Sequence, residues 1–145
     1  MPVVTIFAVG LLEFGNVFWQ RQQMQAGVRD AARYMSRCNL SPTFQTGTTP
    51  SCSLDIARNI AFYGAPSATG RFLRVPNWKD ADDLTFFYHD RATNTSSAAA
   101  PTAPDSRDLV VVQGKLDYAG SPLIQMLQIE PIRITYQYMQ RYTSW

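Results

Sequence analysis

At 145 residues, with 13 Lys and Arg against 11 Asp and Glu, the chain has the length of one domain and a net charge of only +2. It has no Lys/Arg block and no basic stripe interleaved with aromatics, which excludes nucleic acid as an expected partner. Two cysteines and one histidine, with no CxxC pair, cannot assemble a Cys/His zinc site.

The chain opens on a stretch, residues 2–37, that reads as one helix with two unlike halves. The first half, PVVTIFAVGLLEFGNVFW, is almost wholly apolar but carries one acid, Glu13, in its middle; the second, QRQQMQAGVRDAARYMSR, is amphipathic and basic. The division predicts a membrane or filament-core segment over 1–20 and a globular head over 21–145 that includes the amphipathic half. The apolar run of about eighteen residues is at the lower limit for crossing a bilayer, and Trp19 stands where an interfacial aromatic belt would lie. No basic n-region or small-residue cleavage site marks a signal peptide. Glu13 is costly if ionised against lipid, by about 2.5 to 3.5 kcal/mol on insertion scales, so its expected partner is a basic side chain or an α-amino group on a neighbouring helix. Gly10 and Gly15 offer small surfaces to such a helix, although their spacing is not that of GxxxG. Glu13 with Phe7, Leu11, Leu12, Phe14, Phe18 and Trp19 is the candidate subunit-packing set.

In the second half, Val17, Met24, Ala31 and Cys38 recur every seventh residue, with Phe14, Val28, Ala32 and Met35 beside them, giving a stripe that predicts packing on a sheet or helix. Arg21, Gln22, Arg29, Arg33 and Arg37 take the other side. Asn39 and Ser41-Pro42 supply a stop. Residues 39–51 read as a loop closed at its base by a Cys38–Cys52 disulfide, the alternative being two buried free thiols. A bridge closing about fifteen residues contributes roughly 3 kcal/mol in the loop-entropy picture and implies an oxidising compartment.

Ser53 is an N-cap for a short second helix ending at Gly64, with Leu54, Ile56, Ala57, Ile60, Ala61 and Tyr63 as its expected buried side. A small strand is predicted over 72–75, an acidic turn over 80–83 and a strand over 84–88. His89-Asp90 has neither a second histidine nor a nucleophile motif beside it, so a strand-end histidine is expected and no catalytic, cofactor or metal residue is assigned. Residues 91–108, rich in Ser, Thr, Ala and Pro, predict an exposed loop, and Asn39 and Asn94 each begin an N-glycosylation pattern. Residues 109–118 and 132–142 are the long strands, with Ile132, Ile134, Tyr136, Tyr138 and Gln140 sharing one face; residues 121–131 between them are a short helix or an apolar excursion. The fold class is therefore α+β: a long N-terminal helix, apolar in its first half, packed on a small antiparallel sheet with a short second helix.

The segment Glu13-Phe14-Gly15, followed by Phe18-Trp19, Gln23, Ala26, Arg29 and Ala31-Ala32-Arg33-Tyr34, resembles the signature of TadE/TadG-like pilins, the pseudopilins of tight-adherence, type IV-like pilus systems. The run Ala61-Phe62-Tyr63-Gly64 and the terminal strand pair are similar to that family as well. The resemblance implies a non-enzymatic, pilin-like structural subunit that binds no cofactor. It implies residence in the bacterial inner membrane with the head in the periplasm, handling by pilus assembly machinery, and then incorporation into an extracellular homo-oligomeric filament or one shared with other pilins. The alternative is a membrane-anchored minor pilin or adhesin-type binding module. In the family a basic leader and a further hydrophobic stretch containing an acid precede the proline that Pro2 resembles, so either an N-terminal piece upstream of Met1 is expected to be omitted, or the protein is processed or initiated differently. Basic residues there would also offset Arg21, Arg29, Arg33 and Arg37, which by the positive-inside rule alone would hold the head in the cytoplasm.

Overall fold

The computed structural model of the chain describes residues 2–37, 53–98, 109–118, 120 and 131–143. Helix α1 (Pro2–Ser36) runs unbroken for 35 residues, a length of about 52 Å at 1.5 Å per residue. Pro2 suits the first helical position because its missing N–H would be unpaired there anyway. At the other end the Ser36 carbonyl accepts the Thr143 N–H at 3.0 Å, so the end of the last strand caps the helix. The expected stop signals at Asn39 and Ser41-Pro42, the Cys38–Cys52 pair and all but the last residue of the 121–131 segment lie outside the described residues.

Helix α2 (Leu54–Tyr63) begins as its sequence predicts: the Ser53 hydroxyl accepts from the Asp55 N–H, and Gly64, at φ +71°, closes the helix by donating to the Ile60 carbonyl. Its buried side is Ala57, Ala61 and Phe62. Leu54, expected inside, is exposed; it shares the Ala57–Ala61 line but stands at the first position of the helix.

Four strands, β1 (Leu84–Asp90), β2 (Thr95–Ser97), β3 (Leu109–Tyr118) and β4 (Ile132–Arg141), form an antiparallel sheet in the order β2-β1-β3-β4. Two expectations are corrected here. Residues 72–75 form no strand; the Arg74 N–H instead donates to the Phe62 carbonyl at 2.7 Å, and Val75 is fully buried. Within the predicted 91–108 loop, Thr95–Ser97 pairs with Tyr88–Asp90 as a hairpin, which Asn94 turns at φ +54° and Asp90 caps by accepting from the Ala92 N–H at 2.7 Å.

Register sets which side chains meet the helix. Leu84 lies opposite Gly114, Phe86 opposite Val112 and Tyr88 opposite Val110; Leu116 lies opposite Ile134 and Tyr118 opposite Ile132. All of these point to one face, where α1 crosses the sheet. From the helix, Met24, Val28, Ala31, Ala32 and Met35 are fully buried, and Val17 packs beside them. Phe14, which the seven-residue stripe included, is 70% exposed, since it lies off the line that runs through Val17, Met24 and Val28.

Trp78, with no exposed surface, fills the space between α1, α2 and β3 and meets Phe62 edge-on, with centroids 4.9 Å apart at 82°. Two glycines permit this close approach. A Cβ on Gly27 would fall 2.9 Å from the Trp78 ring, and one on Gly114 would fall 2.7 Å from Val28 Cγ2. On the solvent side of α1, Arg29 lies 5.8 and 5.9 Å from the ring centroids of Tyr136 and Tyr138 and donates to the Tyr136 hydroxyl at 3.2 Å, which fixes the helix to β4. Asp30 pairs with Arg74 at 2.7 Å, which fixes it to the connection after α2.

Candidate functional site

A single helical geometry gives α1 two different faces below Gln20. Along the head side, Glu13, Val17, Gln20 and Met24 follow one another at three or four residues and meet the sheet. Rotated away from them, Val4, Phe7, Leu11, Phe14 and Phe18 follow the same spacing, flanked by Leu12 and Trp19. Their exposures are 69% for Val4, 75% for Phe7, Leu11 and Leu12, 70% for Phe14, 53% for Phe18 and 49% for Trp19. Monomeric proteins seldom present so many large apolar side chains in one run, and such runs mark interfaces. Phe7, Leu11 and Phe14 also flank a shallow recess of about 350 Å³. It forms because Gly10, with nothing within 4 Å of where its Cβ would be, leaves a gap in the stripe.

Glu13 has a partner within the chain. It is half-buried, and its Oε1 accepts a hydrogen bond from the Tyr118 hydroxyl at 2.7 Å. The Asn16 amide donates to the same tyrosine oxygen at 3.1 Å, and Gln20 donates to Asn16 Oδ1 at 3.4 Å. The carboxylate expected to seek a neighbouring helix thus has a partner in its own sheet. Burial, then the donated bond and negative charge of Glu13, push the Tyr118 hydroxyl up to about 12, against a smaller opposing effect of the bond from Asn16. Tyr118 therefore stays a neutral donor throughout the physiological range. Together these contacts clamp the helix to the bottom of β3 where the apolar half leaves the head.

The sequence missed Tyr118 and Asn16. One available signal was parity: Tyr118 shares the helix-facing side of β3 with Val110, Val112 and Leu116.

Among the described residues no helix is long and apolar enough to cross a membrane. Gly10, Glu13, Gly15 and Asn16 dilute the apolar run, and Gln20-Arg21-Gln22-Gln23 end it. His89, at the end of β1, exchanges a hydrogen bond with the Ser96 hydroxyl at 2.9 Å. Among the described residues no group of three or more His, Cys, Asp or Glu is placed to hold a metal.

Residues 1–33 match the family model described as TadE-like protein. The match covers the apolar half of α1, the clamp residues Glu13 and Asn16 and most of the amphipathic half, and it agrees with the resemblance carried by Glu13-Phe14-Gly15 and Ala31-Ala32-Arg33-Tyr34. It is consistent with a pilin-related protein associated with pilus components. Comparison with curated proteins and with solved structures gives no match.

Proposed function

We propose that the chain is a structural, non-enzymatic subunit of a Tad-type, type IV-like pilus. It assembles with further copies, or with other pilins, through the exposed lower half of α1. The observation that carries this reading is the stripe from Val4 to Trp19, whose apolar side chains stand 49–75% exposed on a helix anchored at its upper half. Burying each one removes surface worth about 1.5 to 3 kcal/mol from water, and a bundle of the same helices is the simplest arrangement that buries them on several sides at once. Before assembly the same stripe associates with the inner membrane surface, with the head on the periplasmic side; after assembly it lies inside an extracellular filament.

The chain's own chemistry supports the division of labour. Arg29, Asp30 and the buried row from Met24 to Met35 are occupied in holding the head, whereas Phe7, Leu11 and Phe14 have no role in it. Negative-stain microscopy of the purified chain tests the proposal: long uniform fibres are expected, and discrete particles at all concentrations refute it. Phe7→Ser with Leu11→Ser should abolish the fibres while the head unfolds at an unchanged denaturant midpoint.

A further inference from the structure

Below the head the exposed side of α1 is apolar, and beside the head the same side is cationic. Leu11, Phe18, Gln22, Arg29, Arg33 and Arg37 follow one another at intervals of seven and four residues, which keeps them within about 100° of arc on a helix of 3.6 residues per turn. All six are exposed. Met24, Ala31 and Met35, which hold the head, leave α1 on the opposite side. The helix therefore presents one continuous outer side along its whole length, with its chemistry divided lengthwise at Trp19 and Arg21.

The charge on this side is not answered within the chain. α1 has two acids, Glu13 and Asp30. Glu13 meets Tyr118 and Asp30 pairs with Arg74. Arg29 is held beside Tyr136 and Tyr138, neither of which neutralises it. The guanidinium groups of Arg21, Arg33 and Arg37 have no acidic partner among the described residues.

We infer that, before assembly, α1 lies at a shallow angle along an anionic lipid surface. Leu11, Phe14 and Phe18 enter the hydrocarbon boundary, Trp19 stands at headgroup level, Arg33 and Arg37 meet lipid phosphates, and the head faces away from the bilayer. This deepens the reading that the exposed stripe associates with the membrane surface, and rests on it. A second copy set against the full length of this side would bring arginine to arginine. An anionic lipid surface offers hydrocarbon and phosphate next to each other, which matches both halves of the helix. Charge also fixes the tilt. On a helix standing upright in the bilayer, Arg33 and Arg37 would lie about 21 and 27 Å beyond Trp19, outside the reach of about 10 Å that a surface charge has at 0.1 M salt. Lying down brings both within it.

The test uses the full chain, diluted until microscopy shows no fibres, and measures co-sedimentation with vesicles of phosphatidylcholine alone or of phosphatidylcholine mixed with phosphatidylglycerol. Each arginine near an anionic surface strengthens binding about fivefold, so the mixed vesicles should bind at least about thirtyfold more tightly, and less so as salt is raised. Arg33→Gln with Arg37→Gln should weaken binding to the mixed vesicles at least about tenfold with an unchanged denaturant midpoint, because both side chains are exposed and unpaired. Equal binding of the parent and this variant would mean an upright helix; it overturns the inference and leaves the membrane association of the stripe standing. Equal binding to the two kinds of vesicle overturns the inference in the same way. Binding to neither overturns the inference and the membrane step together, and fibres of the undiluted chain then show that the filament role survives.

Discussion

Replacing Tyr118 by Phe removes one hydroxyl and almost nothing else, because the ring stays packed at the foot of β3 with 5% of its surface exposed. What is lost is the 2.7 Å bond to Glu13 and the acceptor for Asn16. A hydrogen bond to a charged group contributes about 1.5 to 3 kcal/mol, and a stranded buried partner adds its desolvation cost. Here Glu13 is half-buried and Asn16 is exposed, so water recovers part of both, and the expected loss is about 1 to 2 kcal/mol. Urea unfolding of Tyr118→Phe, Glu13→Ala and the double variant gives the coupling directly. It should be at least about 0.5 kcal/mol, as for residues in one network. Additive effects, or a Tyr118→Phe variant as stable as the parent, would refute the clamp. If the clamp also sets the angle at which the apolar half leaves the head, fibres of Tyr118→Phe should be shorter or fewer at equal folded concentration.

Three further outcomes follow from the packing. Gly27→Ala gains up to about 1 kcal/mol of helix propensity but drives a methyl against Trp78 and the backbone of α2, so a net loss of about 1 to 3 kcal/mol is expected by chemical denaturation. Gly114→Ala should lose a similar amount, because its Cβ would meet Val28 from the sheet side; a neutral result at either glycine would show that the helix can rise off the sheet. Burial, reinforced by Tyr142, pushes Tyr88 to about 12, and Tyr118 is raised to the same level. Both folded-state values lie above the unfolded 10, so their contribution is complete below pH 10 and is lost as pH rises toward 12. Unfolding midpoints measured across that interval should fall, and in Tyr118→Phe they should fall less.

Local pattern made much of the architecture legible. The change from an apolar to an amphipathic run located α1, Ser53 and Gly64 bracketed α2, and alternation in residues 132–141 sorted the side chains of β4 onto two faces, each from interactions among residues a few positions apart. The errors have a common origin in contacts between distant segments. Phe72–Val75 has strand-like composition, but its backbone bonds to the end of α2 and not to a strand. Thr95–Ser97 looks like loop by composition, yet a turn capped by Asp90 brings it beside β1. Phe14 stands beside the seven-residue pattern of Val17 and Met24, and only the line along which the helix meets the sheet leaves it outside.

The same distinction holds at the candidate site. The sequence by itself determined that an apolar helical half bearing one carboxylate precedes a small α+β head, because hydropathy and periodicity are properties of neighbouring residues. Only the tertiary structure decided what that carboxylate meets. Glu13 and Tyr118 are 105 positions apart, and their encounter depends on Gly114 admitting Val28, which sets the height of the helix on β3. Gly114 meets Val28 and Met24, and Tyr118, four residues further along the same strand, meets Glu13 and Asn16 lower on the helix. How one helix lies along one strand thus decides which charged group is satisfied within the chain and which apolar face is left exposed.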